Sequence, residues 1–277
     1  MSGPGLLDVL ELEDIDRDLY RSLVVYPDQY ALYGGQVAAQ ALLAAGRTVP
    51  ADRVPHSLHC YFLRSGHADR PTVFRVYRDR DGRSFSARRV VALQGGEVLA
   101  SVSCSFTPPA AGPDVQVAPA PATSDPHADL PRYEPGRLFD MECRVPPEQE
   151  HPHAVWPVRF WARATVPLAD EPLVHACVLT YLSDISSGVG AVEGAAGWTA
   201  TSLDHALWFH RPVRMDDWVL MDLVPRSVAA SRGWYTGTLH DPGGRLVASL
   251  TQETLARRRS ARPHPTDRPS APSDIAE

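Results

Sequence analysis

Gly95-Gly96-Glu97-Val98-Leu99-Ala100-Ser101-Val102 returns, with its turn and its apolar positions kept, as Gly243-Gly244-Arg245-Leu246-Val247-Ala248-Ser249-Leu250. Each copy reads as a glycine turn feeding an apolar strand, the pattern of a β-hairpin. A segment reproduced this closely within one chain marks a duplicated unit. A second echo supports it. Ser57-Leu58-His59-Cys60-Tyr61-Phe62-Leu63-Arg64 leads through aromatic residues to an arginine, as does Ser202-Leu203-Asp204-His205-Ala206-Leu207-Trp208-Phe209-His210-Arg211.

Working outward, the same element order surrounds both copies. In the first half, residues 6–19 set leucines against acids and fit either a lead-in helix or a leading strand, and Leu19–Tyr26 reads as a strand. Gly34–Ala45 is an alanine-rich helix, closed by Gly46 and Pro50. Strands follow at Ser57–Leu63, Thr72–Arg78, Ser84–Leu93 and Glu97–Phe106. In the second half, Val158–Val166 is strand-like, and Asp170 is placed to cap a helix over Pro172–Leu182. Strands then recur at Ser202–His210, Trp218–Ser227, Gly233–His240 and Arg245–Leu255. Between the halves, prolines exclude regular structure from much of residues 107–150, which reads as a linker wrapped over the surface. The expected division is therefore 1–106, a linker over 107–150, 151–256, and a disordered tail over 257–277.

Composition sets the class. The 277 residues, 44% hydrophobic and 22% charged with a net charge of −6, suit a globular enzyme-sized protein and give no nucleic-acid surface. No apolar run reaches the eighteen or so residues of a membrane helix, and the N-terminus lacks the basic start of a secretory signal, so the expected location is cytoplasmic. Cys60, Cys104, Cys143 and Cys177 are far apart and sit in mostly apolar stretches, as buried free thiols do.

Familiar motifs fail on inspection. Gly82-Arg83-Ser84-Phe85-Ser86 lacks the last glycine of a nucleophile elbow and lies between strands. Gly188, Gly190 and Gly194 have the wrong spacing for a dinucleotide loop. The pairs His56/His59 and His151/His153 have no carboxylate or cysteine at ligand-like spacing, so no metal is expected. Asp184 closes an otherwise apolar helix and is either a surface cap or a base. If enclosed, desolvation and the negative helix end both raise its pKa. Gln252 stands where the first copy has Cys104, and is either the mark of one specialised copy or an ordinary outward-facing polar residue.

Four stretches resemble the type II acyl-CoA thioesterases: Tyr33-Gly34-Gly35-Gln36-Val37, His56–Arg64, Gly82–Val90 and Leu203–Arg211. The resemblance covers about residues 6–256. It implies an α+β double hotdog, two tandem antiparallel sheets each wrapped on a helix, and hydrolysis of acyl-CoA without a cofactor or an acyl-enzyme. It also implies three catalytic residues, Asp184, a hydroxyl at Ser202 or the adjacent Thr201, and Gln252, which together order the attacking water. Backbone N–H groups at Gly34 and Gly35 are candidates for the oxyanion site, and Asp204 and His205 become supporting residues. A homo-oligomer, dimer or tetramer, is expected. The competing classes are a non-catalytic acyl-thioester-binding protein and an enoyl-thioester hydratase. The complete Asp184, Ser202 and Gln252 set argues against the first, and the absence of a hydratase-type Asp/His motif against the second.

Overall fold

The computed structural model describes residues 4–27, 31–136, 138–148, 157–185 and 198–258. His151, His153 and the glycines at 188, 190 and 194 lie outside them. The stretch 6–19, open to two readings in the sequence, contains both elements: helix α1 (Leu6–Leu10) and then strand β1 (Leu12–Asp16). Next come β2 (Leu19–Ser22), helix α2 (Gly34–Gly46) and the meander β3 (Val54–Phe62), β4 (Val73–Asp81), β5 (Ser86–Gln94) and β6 (Glu97–Thr107). The second set comprises β7 (Arg132–Tyr133), β8 (Met141–Arg144), β9 (Arg159–Ala164) and helix α3 (Pro172–Ser183). It ends with β10 (Trp198–Ser202), β11 (Asp204–Phe209), β12 (Val219–Ala229), β13 (Arg232–His240) and β14 (Leu246–Arg258).

All the strands among the described residues form one sheet, in the order β1-β2-β4-β5-β6-β3-β11-β14-β13-β12-β9-β8-β7, with β10 also paired to β14. The order reads alike from either side of the central β3–β11 pair, so the duplication seen in sequence is a pseudo-twofold in the sheet. The β5–β6 turn, Gly95-Gly96, has φ +56° and +85° at its two residues. Such a turn needs left-handed backbone at both positions, which explains the glycine pair.

Helix α2 is buried on nearly every side, as expected of a helix that is small and apolar all round apart from Gln36 and Gln40, which are buried with it. One side faces β3–β6 and another faces α3. Its C-terminal end is held by Arg88, a fully buried residue of the Gly82–Val90 stretch. Arg88 uses all five of its donors: Nε to Thr48 Oγ1, one terminal nitrogen to the Arg80 and Ala87 carbonyls, the other to the Thr48 carbonyl and Asp81. The guanidinium thus sits at the negative end of the helix, where a cation is favoured.

Three details depart from the sequence reading. The proline-rich stretch 107–150 contributes the short strands β7 and β8, which extend the second half of the sheet beside β9. It also covers that half's outer face: Leu130 packs on Trp161, Trp218 and Leu220, and Trp161 Nε1 donates to the Ser124 carbonyl. The N-cap position of helix α3 is Glu171, which makes no side-chain capping bond, while Asp170 pairs with Arg214. Strand β14 continues to Arg258, two residues into the expected tail, because β10 supplies it with partners.

Candidate active site

The C-terminus of α3 meets the N-terminus of α2, so the two helices run antiparallel and leave Asp184, the C-cap of α3, facing Gly34 and Gly35. The approach is close. Tyr33 Oη donates to the Tyr181 carbonyl at 2.8 Å, and a Cβ on Gly35 would lie 2.5 Å from that same carbonyl oxygen. Glycine is required there because backbone approaches backbone.

Three side chains from three elements converge on this end. Ser202 Oγ donates to Asp184 Oδ1 at 3.0 Å. Gln252 Nε2 donates to the same oxygen and to Ser202 Oγ, both at 2.7 Å. The hydroxyl in this cluster belongs to Ser202; Thr201 lies exposed at the rim of the cavity. Behind them His205, fully buried, places Nδ1 2.5 Å from Gln252 Oε1 and Nε2 2.8 Å from Ser183 Oγ. Asp204 accepts the Glu253 backbone N–H at 2.7 Å and so fastens β11 to β14.

One irregularity makes this convergence possible. Ser202 and His205 are three apart, and on an unbroken strand they would face opposite ways. Ser202 pairs with Thr254, but Ala206 pairs with Thr251, so the strand carries one extra residue around Leu203. Such a bulge re-aims side chains next to functional sites, and here it turns both residues towards Gln252.

A cavity of about 780 Å³ opens onto Asp184 and Ser202, with Val37, Phe62, Leu99 and Leu203 among its apolar lining. A second cavity of about 680 Å³ lies under residues 113–121 and is lined by Arg159, Asp222 and His240, but none of the convergent cluster reaches it. Gln252 is 1% exposed and has both N–H groups engaged within the cluster, so its influence on the first cavity passes through Asp184 and Ser202. Asp184 Oδ2 points towards Gly34, on the cavity side.

Burial pushes the Asp184 carboxyl above the ordinary carboxylate range, against the opposing pull of His205 and of hydrogen bonds from Gln252, Ser202 and the Gly35 N–H. Gly35 therefore serves the carboxylate, a use its sequence did not suggest. Burial also lowers the His205 pKa, which keeps the imidazole neutral at neutral pH. Such a pairing of an enclosed carboxylate with preorganised donors is suited to accepting a proton from water.

The other candidate residues have structural partners. His56 bonds Ser105 Oγ, and His59 packs edge-on against Trp208. Arg64, at the cavity mouth, pairs with Glu97.

Comparison with known proteins agrees over most of the chain. Residues 25–107 match the family model of an acyl-CoA thioesterase N-terminal domain, and residues 110–256 that of an acyl-CoA thioesterase C-terminal domain. The chain is 32% identical to human acyl-coenzyme A thioesterase 8, over 90% of this chain and 88% of that one. It is 29% identical to acyl-CoA thioesterase 2 of Haemophilus influenzae, over 91% and 97%. Among solved structures, the acyl-CoA thioesterase II TesB2 of Mycobacterium marinum superposes with a TM-score of 0.78 at 38% identity, covering 92% and 98% of the two chains. A hot dog fold protein from Alicyclobacillus acidocaldarius reaches 0.77 at 19% identity, over 91% and 98%, and shares the fold.

Proposed function

The chain belongs to the acyl-CoA thioesterase family and is an acyl-CoA thioester hydrolase of double-hotdog fold, and we propose that it cleaves the thioester with a water ordered by Asp184, Ser202 and Gln252. The observation that carries this reading is the meeting of these three side chains, within 3.0 Å of one another, at the wall of an apolar cavity. Asp184 Oδ2 takes a proton from the water as its oxygen attacks the carbonyl carbon. The tetrahedral intermediate collapses with loss of the CoA thiolate, which takes the proton that Asp184 accepted, so the carboxylate is restored and the free acid remains. Ser202 sets the water's position, and Gln252 holds Asp184 and Ser202 in register for it. The Gly34 N–H, in the first turn of α2, is the backbone donor for the developing oxyanion. Asp204 and His205 support the site from behind.

We further propose a cytoplasmic homo-oligomer. Four buried free thiols favour a reducing compartment, and no described helix is long and apolar enough to cross a membrane. The outer sheet face bears the exposed aromatics Tyr61 and Trp234, which suit contact with a second copy. Release of free thiol from acyl-CoAs of short to long chain tests the central claim. Wild type is expected to turn over, and Asp184→Asn to lose at least about a hundredfold in kcat; an unimpaired variant would remove Asp184 from the mechanism.

A further inference from the structure

Gln252 carries an amide whose oxygen and nitrogen exchange places by rotation about one torsion. Only one orientation serves the site. With the NH2 group forward, Asp184 Oδ1 and Ser202 Oγ both receive a donor; with the oxygen forward, an acceptor faces a carboxylate. The contact behind the amide decides between them. His205 Nδ1 lies 2.5 Å from Gln252 Oε1, and Nε2 lies 2.8 Å from Ser183 Oγ. A neutral imidazole carries one N–H. When the Ser183 hydroxyl donates to Nε2, that hydrogen must be on Nδ1, where it meets the Gln252 oxygen. Ser183 Oγ also donates to the Thr180 carbonyl at 2.9 Å, so its single hydrogen reaches Nε2 only by turning away from that carbonyl, and the Nδ1–H form is the one in which it does.

We propose that His205 is a positioning residue which, through its Nδ1–H, locks the Gln252 amide with its NH2 group towards Asp184 and Ser202, and that Ser183 selects the imidazole tautomer this requires. The inference rests on the water-ordering reading above. The duplication supplies separate support. Strands β3 and β6 correspond to β11 and β14, and in the first repeat the residue paired with Cys104, the counterpart of Gln252, is Leu58. Both are buried. Where the glutamine gives way to an apolar residue, so does the histidine, as expected of two side chains that act as a unit. At the same end of the first helix, the C-cap is Arg47, where the second has Asp184.

The test compares His205→Leu, His205→Asn, His205→Gln and Ser183→Ala with wild type and Asp184→Asn. The substrate is the acyl-CoA that wild type turns over fastest. Asparagine can place an amide N–H at the Nδ1 position; glutamine reaches the Nε2 position and leaves Gln252 Oε1 without a donor. His205→Leu and His205→Gln are expected to lower kcat by about 10- to 100-fold with KM changed less than about threefold. His205→Asn should recover kcat to within about fivefold of wild type, and Ser183→Ala should fall between. The acid limb of kcat should also move to higher pH in the impaired variants, because the carboxylate loses a fixed donor. The titratable groups facing Asp184 are His205 from β11, Tyr235 from β13 and Cys60 from β3, and burial holds the last two neutral.

Wild-type kcat and an unshifted acid limb in His205→Gln would overturn the proposal, and so would an asparagine variant as impaired as the glutamine one. Should His205→Leu not fold, the asparagine and glutamine pair still decides it. An inactive Asp184→Asn beside a fully active His205→Gln confines the failure to His205, whereas an active Asp184→Asn removes the underlying reading.

Discussion

Substituting Gly34 with alanine tests whether Asp184 Oδ2 is the working oxygen. The added Cβ would lie 2.5 Å from Oδ2 and 3.0 Å from the edge of the Phe62 ring. Ordinary contact begins about 0.9 Å further out than the first of these distances. The half-buried Phe62 ring can turn aside, but the carboxylate cannot easily retreat. Its other oxygen is held by Ser202 and Gln252, and α2 is held against the Tyr181 carbonyl by the Tyr33 hydroxyl. Overpacking of this kind costs about 1–3 kcal/mol, offset by about 0.5–1 kcal/mol from replacing glycine within a helix. The net loss of stability is thus small, about 0–2.5 kcal/mol, a melting-temperature drop below about 10 °C. The kinetic loss is larger, because a displacement near 1 Å at a reacting group costs about a hundredfold. We expect Gly34→Ala to fold, to bind acyl-CoA, and to hydrolyse it about 30- to 100-fold more slowly by thiol release. Gly46→Ala is the control. It adds the same methyl at the other end of the same helix, where the obstacle is the flexible tip of Leu173, and it should leave kcat unchanged. A Gly34→Ala enzyme within threefold of wild type would show that water does not approach Oδ2 past Gly34.

Three further outcomes are expected. Because burial raises the folded-state pKa of Asp184, its contribution to stability is full below the unfolded value, near 3.8, and is lost as pH rises through the folded value. Asp184→Asn has no such slope, so its stability advantage over wild type should widen across that window in denaturant titrations; parallel curves would mean the carboxyl is not desolvated. Arg88→Met leaves the Thr48 hydroxyl, the Asp81 carboxylate and the carbonyl oxygens of Thr48, Arg80 and Ala87 without their donor and should cost about 3–5 kcal/mol in chemical denaturation. The four cysteines are buried, with burial raising Cys104 and Cys143 to about 12, so none should react with an aromatic disulfide reagent until the protein unfolds. Fast labelling of the native chain would contradict this.

Much of the fold was legible because the sequence says it twice. The glycine hairpins and the helix-then-meander order located α2, α3 and the eight long strands around them within a few residues. What escaped has a physical reason in each case. Strands β7 and β8, two and four residues long, exist because β9 offers an edge to β8 and β8 in turn to β7, and no local propensity marks them. The strand beginning at Ser202 reads as continuous, yet the bulge at Leu203 divides it; only the pairing register of β14 reveals the extra residue. At the site, Asp184, Ser202 and Gln252 were legible through resemblance and through the Cys104 contrast. Ser183 was not, since a serine at the last position of a helix carries no signal of what it touches. The direct hold of Gln252 on water was an expectation from the resemblance; the structure gives both its N–H groups to protein partners.

The clamp on α2 has a consequence for how sequence positions divide between scaffold and chemistry. Every side chain of the cluster comes from the second repeat, but the wall that faces Asp184 is the first turn of a helix from the first. That helix is fixed at its far end by Arg88, nearly a hundred positions from Asp184 in the chain and one helix length away in space. Neither repeat alone contains a finished site. On the proposed mechanism, damage in the first repeat, which gives the cluster no side chain, is therefore inherited by the chemistry of the second.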